Sequence, residues 1–156
     1  MGSGRTPEGH AEGEEHLEGV LNFMRLLWAV DHGLQSRSKQ MAAELGITGP
    51  QRLVIRLAAR YPQITAGHLA QLLHVHPSTL TGVLQRLEAR GLLQRQQDPS
   101  DGRKALFRVT PKGRKLDQTR TGTAEAAVTA ALATVSAQDR AAAERVLAAL
   151  SESLKP

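Results

Sequence analysis

The chain has 156 residues, enough for one domain with at most an added arm, and a formal net charge of +5. It contains no cysteine, which excludes disulfides, thiolate catalysis, cysteine-based zinc fingers and thiol redox sensing together. No apolar run approaches the roughly 18 residues of a membrane span, and no charged start leads into an apolar secretion signal, so a soluble cytoplasmic protein is expected.

Residues 1–13 are Gly-rich and polar and are expected to be disordered. From Glu14 to Leu45, Leu17, Val20, Leu21, Met24, Leu27, Trp28, Leu34 and Met41 keep mostly helical spacing. This predicts one long helix closed near Gly46, where glycine suits a left-handed C-terminal position. Thr48, with Gln51 three residues on, reads as a capping box. The helix it opens carries Leu53, Val54, Ile55, Leu57 and Ala58. It stops before Tyr61-Pro62, because proline disfavours helix at the residue ahead of it. Thr65 is a natural N-cap for a short helix with a stripe at Leu69, Leu72 and Leu73. After a tight turn, His76-Pro77 starts the next helix, with proline at the first helical position, where its missing N–H costs nothing. Its stripe is Leu80, Val83, Leu84 and Leu87, and it ends at Gly91.

Leu92 to Gln96 and Lys104 to Val109 have the length of two strands, with turn residues Asp98-Pro99-Ser100-Asp101-Gly102 between them. Thr110-Pro111 repeats the cap-then-proline start, for a helix running to about Val135. Ser136 to Asp139 then cap a final helix with Ala142, Val146, Leu147, Leu150 and Leu154 on one stripe. Two short helices with stripes facing one core, followed by a hairpin, predict a mainly α (α+β) fold: a winged helix-turn-helix over 47–109 with a two-stranded wing. The first helix (14–46) and the Ala-rich C-terminal helices (110–156) leave more apolar surface than such a domain covers. A face of that size marks a partner surface, and the economical partner is a second copy, so both arms are expected to dimerise.

Charge is unevenly spread. Arg52 to Lys115 holds 12 Lys/Arg against 3 Asp/Glu, whereas the flanks hold 8 against 12. A basic middle between mildly acidic arms is the electrostatic footprint of a nucleic-acid-binding module, although a solvated basic surface gives similar counts.

Six strings stand in a telling order: G-I-T-G-P-Q at 46–51, H-L-A-Q-L-L at 68–73, S-T-L-T at 78–81, R-L-E-A-R-G-L-L at 86–93, D-P-S-D-G-R at 98–103 and V-T-P-K-G at 109–113. In this order they resemble the MarR family of bacterial transcriptional regulators. The D-x-R turn between two strands, followed at once by a T-x-x-G helix start, is the specific part. The resemblance implies homodimers of winged-helix subunits with interlocking first and last helices. It also implies a palindromic double-stranded DNA operator, repression, and release by a small, often aromatic or phenolic, effector.

On the recognition helix, Ser78, Thr79 and Thr81 place short hydroxyls and N-terminal amides where phosphate oxygens and base edges are met; Ser78 also fits plain helix-start chemistry. Gln85 suits a base or a phosphate, and Arg86 a phosphate or an intramolecular carboxylate. In the hairpin, the resemblance makes Arg103 the wing-tip arginine of the minor groove, where a guanidinium favours narrow, A·T-rich sequence. It makes Asp101 the acid that pairs with Arg103 and aims it, and Lys104 is expected on a phosphate. Gly102 stands where the family often has a basic residue, so the wing carries one positive charge fewer.

His68, His74 and His76 lie close in sequence but lack the spacing and the companion carboxylate of a zinc site, and no metal or cofactor is expected. His76 reads as a cap or a phosphate contact. Trp28 and His32 share a helix face at i, i+4, either as core and surface residues or as groups that stack on and hydrogen-bond an aromatic effector. The chain has no phosphate loop, no paired carboxylates and no nucleophile elbow, so no enzyme is expected. The alternative from another class is an architectural DNA-binding protein without an effector, which reads deformability rather than a palindrome.

Overall fold

The computed structural model describes residues 8–155, with side chains from residue 16 onward. The chain falls into two units, one ending at Ser36 and the other starting at Arg37. Helix α1 (Glu8–Leu45) begins six residues ahead of its expected start. Residues 8–13 of the segment expected to be disordered are therefore helical, and residues 1–7 lie outside the described residues. In the first unit α1 exposes Leu17, Leu21, Phe23, Met24, Leu26 and Trp28, the last at 72 %.

The second unit holds the core. Helix α2 (Gly49–Arg60) opens with the expected capping box: Thr48 Oγ1 accepts the Gln51 N–H, and Gln51 Oε1 accepts the Thr48 N–H at 3.2 Å. Two otherwise orphaned N–H donors are satisfied reciprocally. A two-residue strand, β1 (Ile64–Thr65), follows and was not expected from sequence. Thr65 then caps α3 (Ala66–Leu73), accepting the His68 N–H at 3.1 Å. Helix α4 (Pro77–Ala89) is joined to α3 through His74, which adopts left-handed geometry (φ 53°), a region histidine enters more readily than most residues.

Strands β2 (Leu93–Gln97) and β3 (Ala105–Val109) form the antiparallel hairpin, each starting one residue later than expected. The sheet has the order β1-β3-β2. Ile64 sits opposite Phe107, and Leu93 opposite Val109. One face of the sheet thus presents Ile64, Phe107, Leu93 and Val109 to the helices. There they join Ile47, Val54, Ile55, Leu69, Leu80, Leu84 and Leu87 in one buried cluster. Each such side chain stabilises the fold by about 1.5–3 kcal/mol through the apolar surface it removes from water.

Helix α5 (Pro111–Gln118) is capped by Thr110, whose hydroxyl accepts the Gly113 N–H at 3.1 Å and donates to the Gly91 carbonyl at 2.6 Å. This contact brings the helix start so near β2 that a Cβ on Gly113 would lie 2.3 Å from the Leu92 carbonyl oxygen and 2.7 Å from a Val109 methyl. Only glycine fits there, which gives the T-x-x-G string its physical reason.

The single helix expected from Thr110 to about Val135 is instead two, α5 and α6 (Ala124–Leu132). The break has local causes. Gly122 takes φ +77°, and Thr123, 1 % exposed, caps α6 by accepting the Ala126 N–H at 3.3 Å. Helix α7 (Ala137–Ser153) follows, with Ser136 accepting the Asp139 N–H at 3.0 Å. Among the described residues, no helix is long and apolar enough to cross a membrane.

Candidate nucleic-acid interface

The apolar stripe of α4 dictates which of its side chains face outward. Leu80, Leu84 and Leu87 are buried, and helical spacing then turns Ser78, Thr79, Thr81, Gln85 and Arg86 to the opposite side, where all five are exposed. The start of the helix is closed by an imidazole. His76 Nδ1 accepts the Ser78 N–H at 3.3 Å and lies 2.7 Å from the Ser78 hydroxyl. Both are hydrogen bonds only if Nδ1 is the ring nitrogen without a proton. His76 is therefore the cap, and Ser78 presents its hydroxyl beside it. The Arg86 guanidinium folds back along its own helix, 3.7 Å from the place a Cβ on Gly82 would take.

The hairpin tip is a chain of local hydrogen bonds. The Asp98 N–H bonds to the Lys104 carbonyl at 3.0 Å, and the Lys104 N–H to the Asp101 carbonyl at 2.9 Å. Asp98 accepts the Ser100 N–H at 2.8 Å and the Ser100 hydroxyl at 2.7 Å. That hydroxyl, then the Ser100 N–H, hold the Asp98 carboxyl below its ordinary range. Gln97 reaches across to the Gly102 carbonyl at 2.8 Å.

Asp101 departs from the expected pairing with the Arg103 side chain. Its Oδ1 accepts the Arg103 backbone N–H at 3.1 Å, and its Oδ2 lies 3.6 Å from the Lys104 ammonium. The reason is reach: an aspartate two residues ahead closes an Asx turn onto the backbone N–H, which shapes the turn instead of clamping the guanidinium. Arg103 is left exposed at the tip.

A cleft of about 340 Å³ lies between α4 and the hairpin. Thr81 and Gln85 border it from α4, Arg103 and Lys104 from the hairpin, and Thr65 and Gly67 from the start of α3. Four of the sequence-predicted residues thus share one concave surface, while Ser78, Thr79 and Arg86 stand outside its lining. Arg95 and Glu88 also border the cleft and were not singled out from sequence. The signal for Arg95 was strand alternation: it pairs with Phe107 and lies on the same sheet face as Leu93. Its long side chain emerges at the rim of the core beside the helix.

The remaining candidates lie elsewhere. His68 packs at 5.7 Å against the Tyr61 ring, and His74 Nδ1 is 4.0 Å from Glu152. Trp28 and His32 are both exposed on α1 in the first unit.

A family model described as MarR family matches residues 47–105. The chain is 31 % identical over 102 residues to the organic hydroperoxide resistance transcriptional regulator of Bacillus subtilis, covering 65 % of this chain and 68 % of that protein. It is 31 % identical over 129 residues to an HTH-type transcriptional repressor of Mycobacterium tuberculosis, covering 83 % and 90 %. Among solved structures, the S. aureus MepR–DNA complex superposes with a TM-score of 0.70 at 21 % identity, over 85 % of this chain and 98 % of that one. The PcaV regulator of Streptomyces coelicolor, solved with its natural ligand, superposes at 0.69 and 23 % identity, over 83 % and 92 %. These structural likenesses show a shared winged-helix fold.

Proposed function

The chain belongs to the MarR family of DNA-binding transcriptional regulators, which are not enzymes, and from that premise we propose that it is a homodimeric repressor of a palindromic operator, released by a small aromatic effector. One observation carries the DNA reading: the polar face of α4 and the Arg103–Lys104 tip of the hairpin meet around a single cleft. A helix in the major groove and a guanidinium in the adjacent minor groove fit that arrangement. Ser78, Thr79, Thr81, Gln85 and Arg86 serve the major groove, Arg103 the minor groove and Lys104 a phosphate, with Asp101 shaping the turn.

Dimerisation is supported by the large apolar side chains exposed on each arm: Leu17, Leu21 and Trp28 on α1, and Val146 and Leu147 on α7. Repression is supported by the mycobacterial relative, a transcriptional repressor matched over 90 % of its length. The effector is supported by the ligand-bound S. coelicolor structure, and we assign to it the exposed pair Trp28 and His32, one turn apart on α1.

The test is fluorescence anisotropy on a duplex selected from a random library, with sedimentation of the free protein. A dimer that prefers a palindrome is expected. Its log–log salt slope should be on the order of −4 to −8, from about −0.9 per neutralised phosphate. Equal affinity for selected and random duplex overturns the operator reading in favour of an architectural DNA-binding protein.

A further inference from the structure

Arg52 is the most deeply buried charged side chain described, 1 % exposed, and it lies away from the DNA-facing cleft. Its donors fan out to one joint. Nε donates to Glu125 Oε1 at 2.5 Å, Nη1 to the Leu116 carbonyl at 3.0 Å, and Nη2 to the carbonyls of Asp117, at 3.3 Å, and Thr119. Leu116 and Asp117 sit in the last turn of α5 and Thr119 is its C-cap, where carbonyls lack helical partners and carry partial negative charge. Glu125 lies in the first turn of α6, the end that favours an anion. A single guanidinium from α2 therefore holds the end of one helix and the beginning of the next. Arg56, one turn on, adds ion pairs to Asp117 at 3.0 Å and Glu125 at 3.7 Å. From the other side, the Met41 sulfur accepts the Ala124 N–H at 3.3 Å.

We infer that Arg52 is a positioning residue for operator recognition: it sets the direction in which α6 leaves the DNA-binding core, and so the distance between the two recognition helices. This rests on the dimeric reading above, in which α6 and α7 belong to the dimerisation arm. Successive base pairs are about 3.4 Å apart, so a small swing at this joint shifts a half-site by a whole step. A stabilising contact of ordinary kind needs only the Glu125 partner. The planar fork is what reaches three carbonyls as well, and a lysine ammonium at the same place cannot span them.

The test uses the full chain and its selected operator, together with copies carrying one base pair inserted or deleted between the half-sites. The wild type is expected to lose at least about tenfold in affinity on the altered spacings, on the scale of single-site defects, and Arg52→Lys to lose about threefold or less. Sedimentation of Arg52→Lys should still give a dimer, and its affinity for random duplex should match the wild type. An Arg52→Lys dimer that keeps the wild-type spacing ratio overturns the inference, whatever its melting temperature. If Arg52→Lys does not fold, Glu125→Gln, which keeps the carbonyl bonds and removes the charge at α6, takes its place with a partial loss of spacing preference expected; an unchanged ratio overturns the inference. A wild type that sediments as a monomer instead overturns the dimeric reading itself.

Discussion

Asp101 holds Arg103 by its backbone: the carboxylate accepts the Arg103 N–H at 3.1 Å and leaves the guanidinium free at the hairpin tip. The acid thereby fixes the backbone from which the arginine side chain starts, and on the proposed reading a DNA groove takes its far end. In this arrangement the two residues act as one unit although their side chains do not pair.

Arg103→Ala should weaken operator binding by about 1–3 kcal/mol, the scale of one well-placed groove contact, and leave the melting temperature unchanged because the tip carries no core. Asp101→Ala should show part of the same loss, with the double variant less than additive. Asp101→Asn keeps an acceptor for the Arg103 N–H, so it should retain most of the affinity. Anisotropy on the selected operator measures all four. Unchanged binding in Arg103→Ala removes the residue from the interface.

Gly113→Ala should destabilise the protein. The added methyl meets the Leu92 carbonyl at 2.3 Å, and backbone cannot step aside as a side chain can. A cost of about 1–3 kcal/mol is expected, as for other overpacked sites, read as a lower urea midpoint at unchanged slope. A variant as stable as the wild type shows that α5 is free to lift off β2.

Acid should act on the hairpin through Asp98. Its carboxyl is held below the ordinary value of 3.8, first by the Ser100 hydroxyl and then by the Ser100 N–H. A depressed acid contributes stability above its unfolded value, and that contribution disappears as pH falls through the folded one. The tip should therefore keep its shape down to pH below 3.8 and loosen beneath that. Carboxyl chemical shifts followed by NMR should put Asp98 below 3.8, and Ser100→Ala should move it up. A wild-type Asp98 titrating at or above 3.8 contradicts this.

The sequence announced its helix starts plainly, because Thr48, Thr65, Thr110 and Ser136 each bond a backbone N–H three residues on, and that chemistry is local. The exposed residues of α4 were legible for a related reason: its leucine stripe leaves them one side to occupy. What escaped was non-local. Strand β1 is too short to show alternation and exists only because β3 lies beside it. The α5–α6 break, at 119–123, was masked by the Ala-rich helical pattern that follows it, although Gly122-Thr123 carried a turn and a cap. Arg52 shares a helix face with the half-exposed Arg56 and reads as solvated like it, but its partners are 64 to 73 positions away. No periodicity reports such a contact.

Thr65 belongs to two structures at once. Its backbone is laid against Leu106 in the sheet, and its hydroxyl caps α3, the helix that leads into α4. Fraying of the hairpin base therefore loosens the cap of α3, and unwinding of α3 strips the edge from β3. One residue thus couples the hairpin base to the start of α3, so that loosening either one weakens the other.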